Sequence, residues 1–321
     1  MHRLWERSQL DSEIRSLQKQ VSSINPQDGI ILDIKVAGNV VLSYNANSEI
    51  IQTREDNKLM AECTQVLDTA GADDYWLSYN PVNTGTSMQK MITPSSWSEC
   101  RQWFRSVGVP ETGGVTIVPD TNVIMNHYLS KVIFPIADEL MFHDVQVVIP
   151  RTVILEIERQ GNLEGKSFKK RKAIFAWSEL LWLLDNGAQI LSELDPNMLE
   201  GFSSIAGSRF GDALIRKEIR TYFGQPLMKN QPRVLFITCD LMNAFAACAE
   251  RLDTLYLSRT ASSEHRGDLG KLVDIILSAA ILWEEIEVEF KQPTGITYKL
   301  SGMWEGKSIT DWRNQLIEVM N

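Results

Sequence analysis

The second half of the chain alternates short apolar segments with helical segments, and this alternation constrains the fold more than any other feature. Five segments rich in β-branched and aliphatic residues predict strands. They are VTIVP (115–119), VQVVIP (145–150), AQILSEL (188–194), RVLFITCD (233–240) and TLYLSR (254–259). Segments with helical periodicity separate them, for example RTVILEIERQ (151–160) and SRFGDALIRKEIRTYFG (208–224). Apolar strands alternating with helices predict an α/β fold, a parallel sheet with helices on both faces.

Carboxylates stand at or near the ends of several predicted strands. Asp120 directly follows the first strand, and Asp240 follows Thr238 and Cys239 at the end of another. Glu156 lies in the helix after the second strand, and Asp212 lies at the start of a later helix. Because the carboxyl ends of parallel strands meet at one edge of a sheet, we expect these four side chains to converge.

Each carboxylate also has a simpler explanation. Asp120 and Asp240 both precede helical segments and could act as N-caps. Asp212 could pair with Arg216 one helical turn on. Glu158 competes with Glu156 for a place in the cluster, and periodicity alone does not choose between them.

Four converging carboxylates need compensation. Like charges at close range repel, and some would protonate unless a cation lies among them. Mg²⁺ and Mn²⁺ favour oxygen ligands. Such an ion can polarise a phosphoryl oxygen and activate a water. The pattern therefore predicts a Mg²⁺ or Mn²⁺ site with four ligands: Asp120, Glu156, Asp212 and Asp240.

Four sequence segments together resemble a PIN-domain nuclease: IVPDTNVIM (117–125), VIPRTVILEIERQ (148–160), GDALI (211–215) and VLFITCD (234–240). The resemblance covers about residues 115–260. It places the four carboxylates at the family's acidic positions, and Asn122 and Thr238 at polar positions that support the site. It implies a doubly wound parallel sheet sandwiched by helices. The activity it implies is metal-dependent RNA cleavage that leaves a 3′-hydroxyl and a 5′-phosphate. The long connections on both sides of Asp212 depart from the compact family domain. This departure affects the expected substrate more than the expected chemistry.

The regions flanking this match predict two further parts. Residues 1–110 suggest an N-terminal α+β region, residues 112–262 the PIN-like catalytic domain, and residues 263–321 a C-terminal helix-hairpin-helix extension. We expect the final helix of that extension over 308–320. In the first helix one face is apolar, formed by Leu10, Ile14, Leu17 and Val21. This face either docks on its own domain or forms a short coiled coil, so a homodimer or protein partner through the N-terminal region stays open.

The overall charge bears on partners. The net charge is −9, so any phosphate-rich substrate needs a local basic patch. The candidate residues are Lys169, Lys170, Arg171, Lys172, Arg209 and Arg216. The basic run KSFKKRK (166–172) reads either as a solvated helix face or as an edge that tracks phosphates.

The sequence also leads to expectations about the cellular location and the activity of the protein. No apolar run is long enough to span a bilayer, the N-terminus lacks a signal core, and the 4 cysteines lack metal-ligand spacing, so a cytoplasmic location is expected without a membrane. We expect an endoribonuclease acting on single-stranded RNA. The alternatives are a catalytically idle PIN-like scaffold that binds RNA or protein, and a structure-specific DNA nuclease.

Overall fold

The computed structural model describes residues 2–53, 59–70, 75–80, 90–92, 115–134, 145–165, 167–191, 208–223, 233–259, 264–293, 295–302 and 317–320. The chain forms two compact units. Unit 1 comprises Met1–Asp73, Leu163–Leu181 and Ala261–Asn321, and unit 2 comprises Asp74–Asn162 and Trp182–Thr260. The sequence pattern predicts three consecutive regions, whereas in the structure both ends of the chain belong to the same unit.

Unit 1 is built on antiparallel strands. The strands are β1 (His2–Trp5), β2 (Ile31–Val36), β3 (Asn39–Asn45), β4 (Ile50–Thr53), β12 (Glu264–Arg266), β13 (Glu285–Gln292), β14 (Ile296–Gly302) and β15 (Ile317–Met320). They form one sheet in the order β1-β15-β14-β13-β2-β3-β4-β12. Because β13 hydrogen-bonds to β2, and β15 to β1, the predicted C-terminal extension completes the sheet of the N-terminal region.

The C-terminal prediction needs one correction. The predicted helix and hairpin are present as Leu269–Trp283 and as β13–β14. The final helix predicted over 308–320 is wrong at Ile317–Met320, which forms a strand between β1 and β14. Alternating burial of Ile317 and Val319 marks these residues as a half-buried strand. Residues 303–316 lie outside the described part of the chain.

The helices of unit 1 bury apolar side chains in a common core. They are α1 (Arg7–Ile24), α2 (Met60–Thr69), most of α5 (Phe168–Asp185) and α8 (Leu269–Trp283). The apolar face of α1 is buried in that core, at Leu10, Ile14, Leu17 and Val21. The first helix therefore docks on its own unit, and this face is not available for a coiled coil.

Unit 2 contains the predicted α/β alternation. Its strands are β5 (Tyr75–Asn80), β6 (Lys90–Ile92), β7 (Val115–Pro119), β8 (Val145–Ile149), β9 (Gln189–Ile190), β10 (Arg233–Thr238) and β11 (Thr254–Arg259). Its helices are α3 (Thr121–Met125), α4 (Arg151–Gly161), α6 (Ser208–Phe223) and α7 (Leu241–Ala249), with a π-helical turn at Leu129–Ile133.

The sheet of unit 2 has the strand order β6-β5-β11-β10-β7-β8-β9. The five strands from β11 to β9 are parallel and are flanked by helices. Strands β5 and β6 extend it antiparallel at one edge, so part of the predicted N-terminal region belongs to this unit. Strand β7 ends at Pro119, directly before Asp120, and β10 ends at Thr238, two residues before Asp240. Because β7 and β10 are parallel neighbours, both aspartates lie at the same sheet edge.

None of the helices in the described ranges is both long and apolar enough to cross a membrane.

Candidate metal site at the edge of the parallel sheet

Asp120 connects β7 to α3 and is almost fully buried, with an exposed fraction of 1%. Its Oδ1 accepts a 2.7 Å hydrogen bond from the backbone N–H of Thr121, so Asp120 is the N-cap of α3. Its Oδ2 accepts hydrogen bonds from Thr238 Oγ1 at 2.6 Å and from Asn243 Nδ2 at 3.1 Å. Burial raises the pKa of Asp120, and these hydrogen bonds oppose that rise. The carboxylate thus caps a helix and is also fixed by donors from β10 and α7.

Glu156 lies in the middle of α4, and its carboxylate faces the same region. Its Oε2 accepts a short hydrogen bond from Thr121 Oγ1. Burial raises the pKa of Glu156, the Thr121 hydrogen bond lowers it, and the charge of Asp120 raises it further. Glu158, the competing residue, is exposed. The structure therefore selects Glu156.

Asp212 follows Gly211 in α6 and is half-buried. Burial, followed by the charges of Asp120, Glu156 and Asp240, raises the pKa of Asp212 from 3.8 to about 7, and Arg216 opposes the shift. Direct contacts link the surroundings of the four residues: Thr121 binds Asp120 and Glu156, Thr238 binds Asp120 and the backbone of Asp240, and Gly211, next to Asp212, lies against Glu156. The structure therefore places these residues in one region of unit 2.

Asp240 starts α7. Its Oδ1 accepts backbone hydrogen bonds from Met242 at 2.7 Å and from Asn243 at 3.1 Å, so the capping interpretation holds here too. The backbone N–H of Asp240 donates to Thr238 Oγ1 at 3.0 Å. Thr238 thus joins Asp240 to Asp120, because its hydroxyl accepts from one and donates to the other. Capping and membership of the cluster are compatible for both aspartates.

The two polar residues expected to support the site, Thr238 and Asn122, differ in their surroundings. Thr238 is fully buried and holds Asp120 as described, whereas the side chain of Asn122 is exposed. Thr121, next to Asp120, was not predicted to support the site. Its backbone N–H donates to Asp120 and its hydroxyl donates to Glu156. Asn243 was also not predicted. Its position three residues after the cap Asp240 is the only sequence signal that marks it.

Three of the predicted phosphate ligands serve the protein interior instead. In unit 1, Arg171 donates from Nε to Ile281 O at 2.5 Å, near the C-terminal end of α8, where carbonyls lack helical partners. Lys172 is buried and donates from Nζ to Gln65 Oε1 at 3.1 Å. In unit 2, Arg216 is buried and its Nε donates to Glu250 Oε1 at 3.0 Å. The assignment of these three residues to RNA binding is therefore corrected.

The other predicted phosphate ligands are Lys169, Lys170 and Arg209. Lys169 is exposed and Lys170 is half-buried on α5 in unit 1. The backbone N–H of Lys170 donates to Ser167 Oγ at 3.2 Å, which caps the start of this helix and leaves the lysine ammonium out of that bond. The side chain of Arg209 lies outside the described part of the structure.

The donor set fits a hard divalent cation. It consists of carboxylate oxygens, and burial, followed by the charges of the neighbouring carboxylates, raises the pKa of Asp212 to about 7. Among the described residues, no three His, Cys, Asp or Glu side chains form a ready-made cage.

Comparison with known proteins adds little. The models of known protein families give no match, and neither do the curated proteins. Among solved structures, a domain of a functionally unknown protein from Methanocaldococcus jannaschii DSM 2661 is similar to this chain. It has 20% sequence identity and a TM-score of 0.33, covering 46% of this chain and 94% of that domain. A similarity of this degree supports no statement about function.

Proposed function

We propose that this protein is a metal-dependent endoribonuclease of the PIN type, with its catalytic site at the carboxyl edge of the unit 2 sheet. The proposal includes a doubly wound PIN-like arrangement for this unit and a cytoplasmic location. The observation that carries it is a hydrogen-bond network: Thr121 binds both Asp120 and Glu156, and Thr238 binds Asp120 and the backbone N–H of Asp240. The raised pKa of Asp212, caused by burial and then by the charges of these carboxylates, agrees with it. Carboxylates from four separate segments destabilise one another at close range unless a cation compensates them.

Asp120, Glu156, Asp212 and Asp240 would hold one or two Mg²⁺ or Mn²⁺ ions. A bound ion of this kind polarises a phosphoryl oxygen and lowers the pKa of a nearby water. In the reaction, the water oxygen forms a bond to phosphorus while the bond from phosphorus to the 3′ oxygen breaks. The 3′ oxygen takes up a proton, and the products are a 3′-hydroxyl and a 5′-phosphate.

The residues of this chain contribute positioning. Thr238 and Asn243 hold Oδ2 of Asp120, and Thr121 holds Oδ1 of Asp120 together with Oε2 of Glu156. A carboxylate fixed by several donors loses little conformational entropy when it binds a ligand. Burial and the neighbouring carboxylates raise the pKa of Asp212 to about 7, so a proton on this carboxyl would compete with a cation at neutral pH.

Single-stranded RNA is the proposed substrate. We keep Lys169 and Lys170 as the candidates for phosphate contacts, because Arg171, Lys172 and Arg216 are engaged within their own units. Two ammonium groups would add salt-dependent affinity without sequence preference.

The test is cleavage of labelled single-stranded RNA and DNA by the full chain with Mn²⁺, Mg²⁺ or a chelator. Asp120→Asn removes a ligand charge, and Glu158→Gln is the matched control, because Glu158 is an exposed carboxylate on the same helix as Glu156. We expect RNA cleavage with metal by the wild type and by Glu158→Gln, and at least about a hundredfold slower cleavage by Asp120→Asn.

Other outcomes would point elsewhere. Tight RNA binding without cleavage under any metal would indicate an idle scaffold. Preferential cutting of branched DNA would indicate a structure-specific DNA nuclease. Equal cleavage by Asp120→Asn and the wild type would remove the four carboxylates from the reaction.

A further inference from the structure

A network of hydrogen-bonded polar side chains links Asp120 to residues of α6 and α7. Asn243 Nδ2 donates to Asp120 Oδ2 at 3.1 Å, and Asn243 Oδ1 accepts a short hydrogen bond from Arg216 Nη1. Arg216 Nε donates to Glu250 Oε1 at 3.0 Å. Asn243 is 2% exposed and Arg216 is 7% exposed, so water has little access to either.

Arg216 determines which way the Asn243 amide points. A guanidinium group has only donors, so it can face only the oxygen of the amide. The amide NH₂ is then directed at Asp120 Oδ2. A flipped amide would place its oxygen against the Asp120 carboxylate and its NH₂ against the guanidinium, and both contacts would be repulsive. Glu250 compensates the charge of Arg216, which allows the guanidinium to stay buried.

The orientation of Asn243 has a consequence for Asp120. A carboxylate oxygen has two lone-pair directions. Oδ2 uses both, for Thr238 and Asn243, while Oδ1 uses one, for the N–H of Thr121. Oδ1 is therefore the oxygen with a lone pair left for a cation.

We infer that Asn243, locked by Arg216, is a positioning residue that saturates Oδ2 of Asp120 and so presents Oδ1 to the divalent cation. The inference rests on the proposed function and adds to it a role for two residues outside the acidic four. It also gives buried Arg216, a predicted phosphate ligand, a different role.

The experiment measures the Mn²⁺ dissociation constant of the full chain by calorimetry without RNA, beside metal-free thermal unfolding. Asn243→Ala is expected to raise the dissociation constant about 10–100-fold, as is common when a group that orients a metal ligand is removed. The control is Thr254→Val, which removes another hydrogen bond of unit 2, donated by the buried Thr254 Oγ1 to Leu252 O at 2.9 Å. It should lower the unfolding temperature without changing Mn²⁺ affinity.

Arg216 variants separate positioning from general stability. Arg216→Lys keeps a donor for Asn243 Oδ1 and should bind Mn²⁺ within a few-fold of the wild type, whereas Arg216→Met should bind it about 10-fold or more weakly. Because Arg216 acts through Asn243, the double variant Asn243→Ala with Arg216→Met should bind no more weakly than Asn243→Ala alone.

Two results would overturn the inference. One is Asn243→Ala with a dissociation constant within about twofold of the wild type. The other is a double variant in which the two effects multiply. If the wild type binds no Mn²⁺, the proposed function fails as well; if the wild type binds Mn²⁺ and cleaves RNA while Asn243→Ala is unaffected, only the positioning role fails.

Discussion

The backbone of Gly211 lies directly against the carboxylate of Glu156. A Cβ on Gly211 would lie 1.6 Å from Glu156 Oε1 and 2.8 Å from its Cδ. The contact joins α6 to α4 in the residue that precedes Asp212. The missing side chain at this position therefore allows the backbone of α6 to lie against the Glu156 carboxylate.

Gly211→Ala should damage the site more than the fold. The methyl group must displace the flexible end of Glu156, while alanine in a helix is favoured over glycine by about 1 kcal/mol. We expect RNA cleavage about 10–100-fold slower, with an unfolding temperature within a few degrees of the wild type. The control is Gly270→Ala in helix α8 of unit 1, whose new Cβ would lie 3.3 Å from Asp268 Oδ1. Equal activity in Gly211→Ala would mean that Glu156 can move without loss.

Asp212→Asn should stabilise the metal-free protein at alkaline pH. Because the pKa of Asp212 is raised from 3.8 to about 7, its ionisation costs folding free energy as the pH rises through about 7, and that cost is absent below about pH 4. Removing the charge should raise the free energy of unfolding at pH 8 by on the order of 1–2 kcal/mol, after allowance for solvent screening.

Bound metal should reverse the order of stability of the wild type and Asp212→Asn. With Mn²⁺ present the wild type gains stability according to its affinity, and Asp212→Asn gains less. Thermal unfolding in EDTA and in Mn²⁺ at pH 8 measures both effects. An Asp212→Asn variant that is less stable than the wild type in EDTA would contradict mutual repulsion of the carboxylates.

Glu218 gives a second pH dependence, away from the four carboxylates. It is 4% exposed, and its Oε2 accepts from the backbone N–H of Thr152 at 3.3 Å, in the first turn of α4. Burial raises the pKa of Glu218 from 4.5 to about 7. Its contribution to stability is therefore fully present below about pH 4.5 and is lost as the pH rises through about 7.

Glu218→Gln should flatten this dependence, because glutamine can still accept from Thr152 but does not ionise. We expect equal stability near pH 4 and a gain of about 1–3 kcal/mol at pH 8, measured by urea unfolding in EDTA. Glu158→Gln, on an exposed carboxylate, should leave the profile unchanged. A profile for Glu218→Gln parallel to that of the wild type would show that Glu218 does not titrate in this range.

Lys169 and Lys170 are expected to contribute to RNA affinity through charge alone. Changing both to Gln should weaken binding to single-stranded RNA and lower the slope of log K against log salt by about 0.7 for each phosphate that the two lysines neutralise. Filter binding of Asp120→Asn, with and without the lysine changes, measures this without cleavage. An unchanged slope would leave both lysines as an ordinary solvated helix surface.

The sequence predicts carboxylates at this edge of the sheet because the signals for them are local. A carboxylate after an apolar strand is visible in VTIVPD and VLFITCD, and the parallel topology brings such ends together. Asp120 and Asp240 are both helix N-caps, and this role does not exclude the one proposed for them in the metal site. The contribution of Asn243 was not predictable, because it depends on a contact with Asp120 across 123 positions of the chain.

Local sequence patterns also did not predict which segments of the chain pair with one another. Alternation of apolar and polar residues predicts that β13 and β14 are strands, but not that β13 joins β2. Likewise, a run of Lys and Arg does not show that Arg171 will donate to Ile281 O near the end of α8. Both outcomes are set by pairing between distant segments.

The central claim is that Asp120, Glu156, Asp212 and Asp240 share a divalent cation. Crystals of the full chain soaked in Mn²⁺ and measured at the manganese absorption edge test this directly. An anomalous peak within about 2.0–2.3 Å of oxygens from at least two of these carboxylates, one of them Oδ1 of Asp120, is predicted. Saturating Mn²⁺ with no peak among the four, or with peaks only elsewhere, would contradict it.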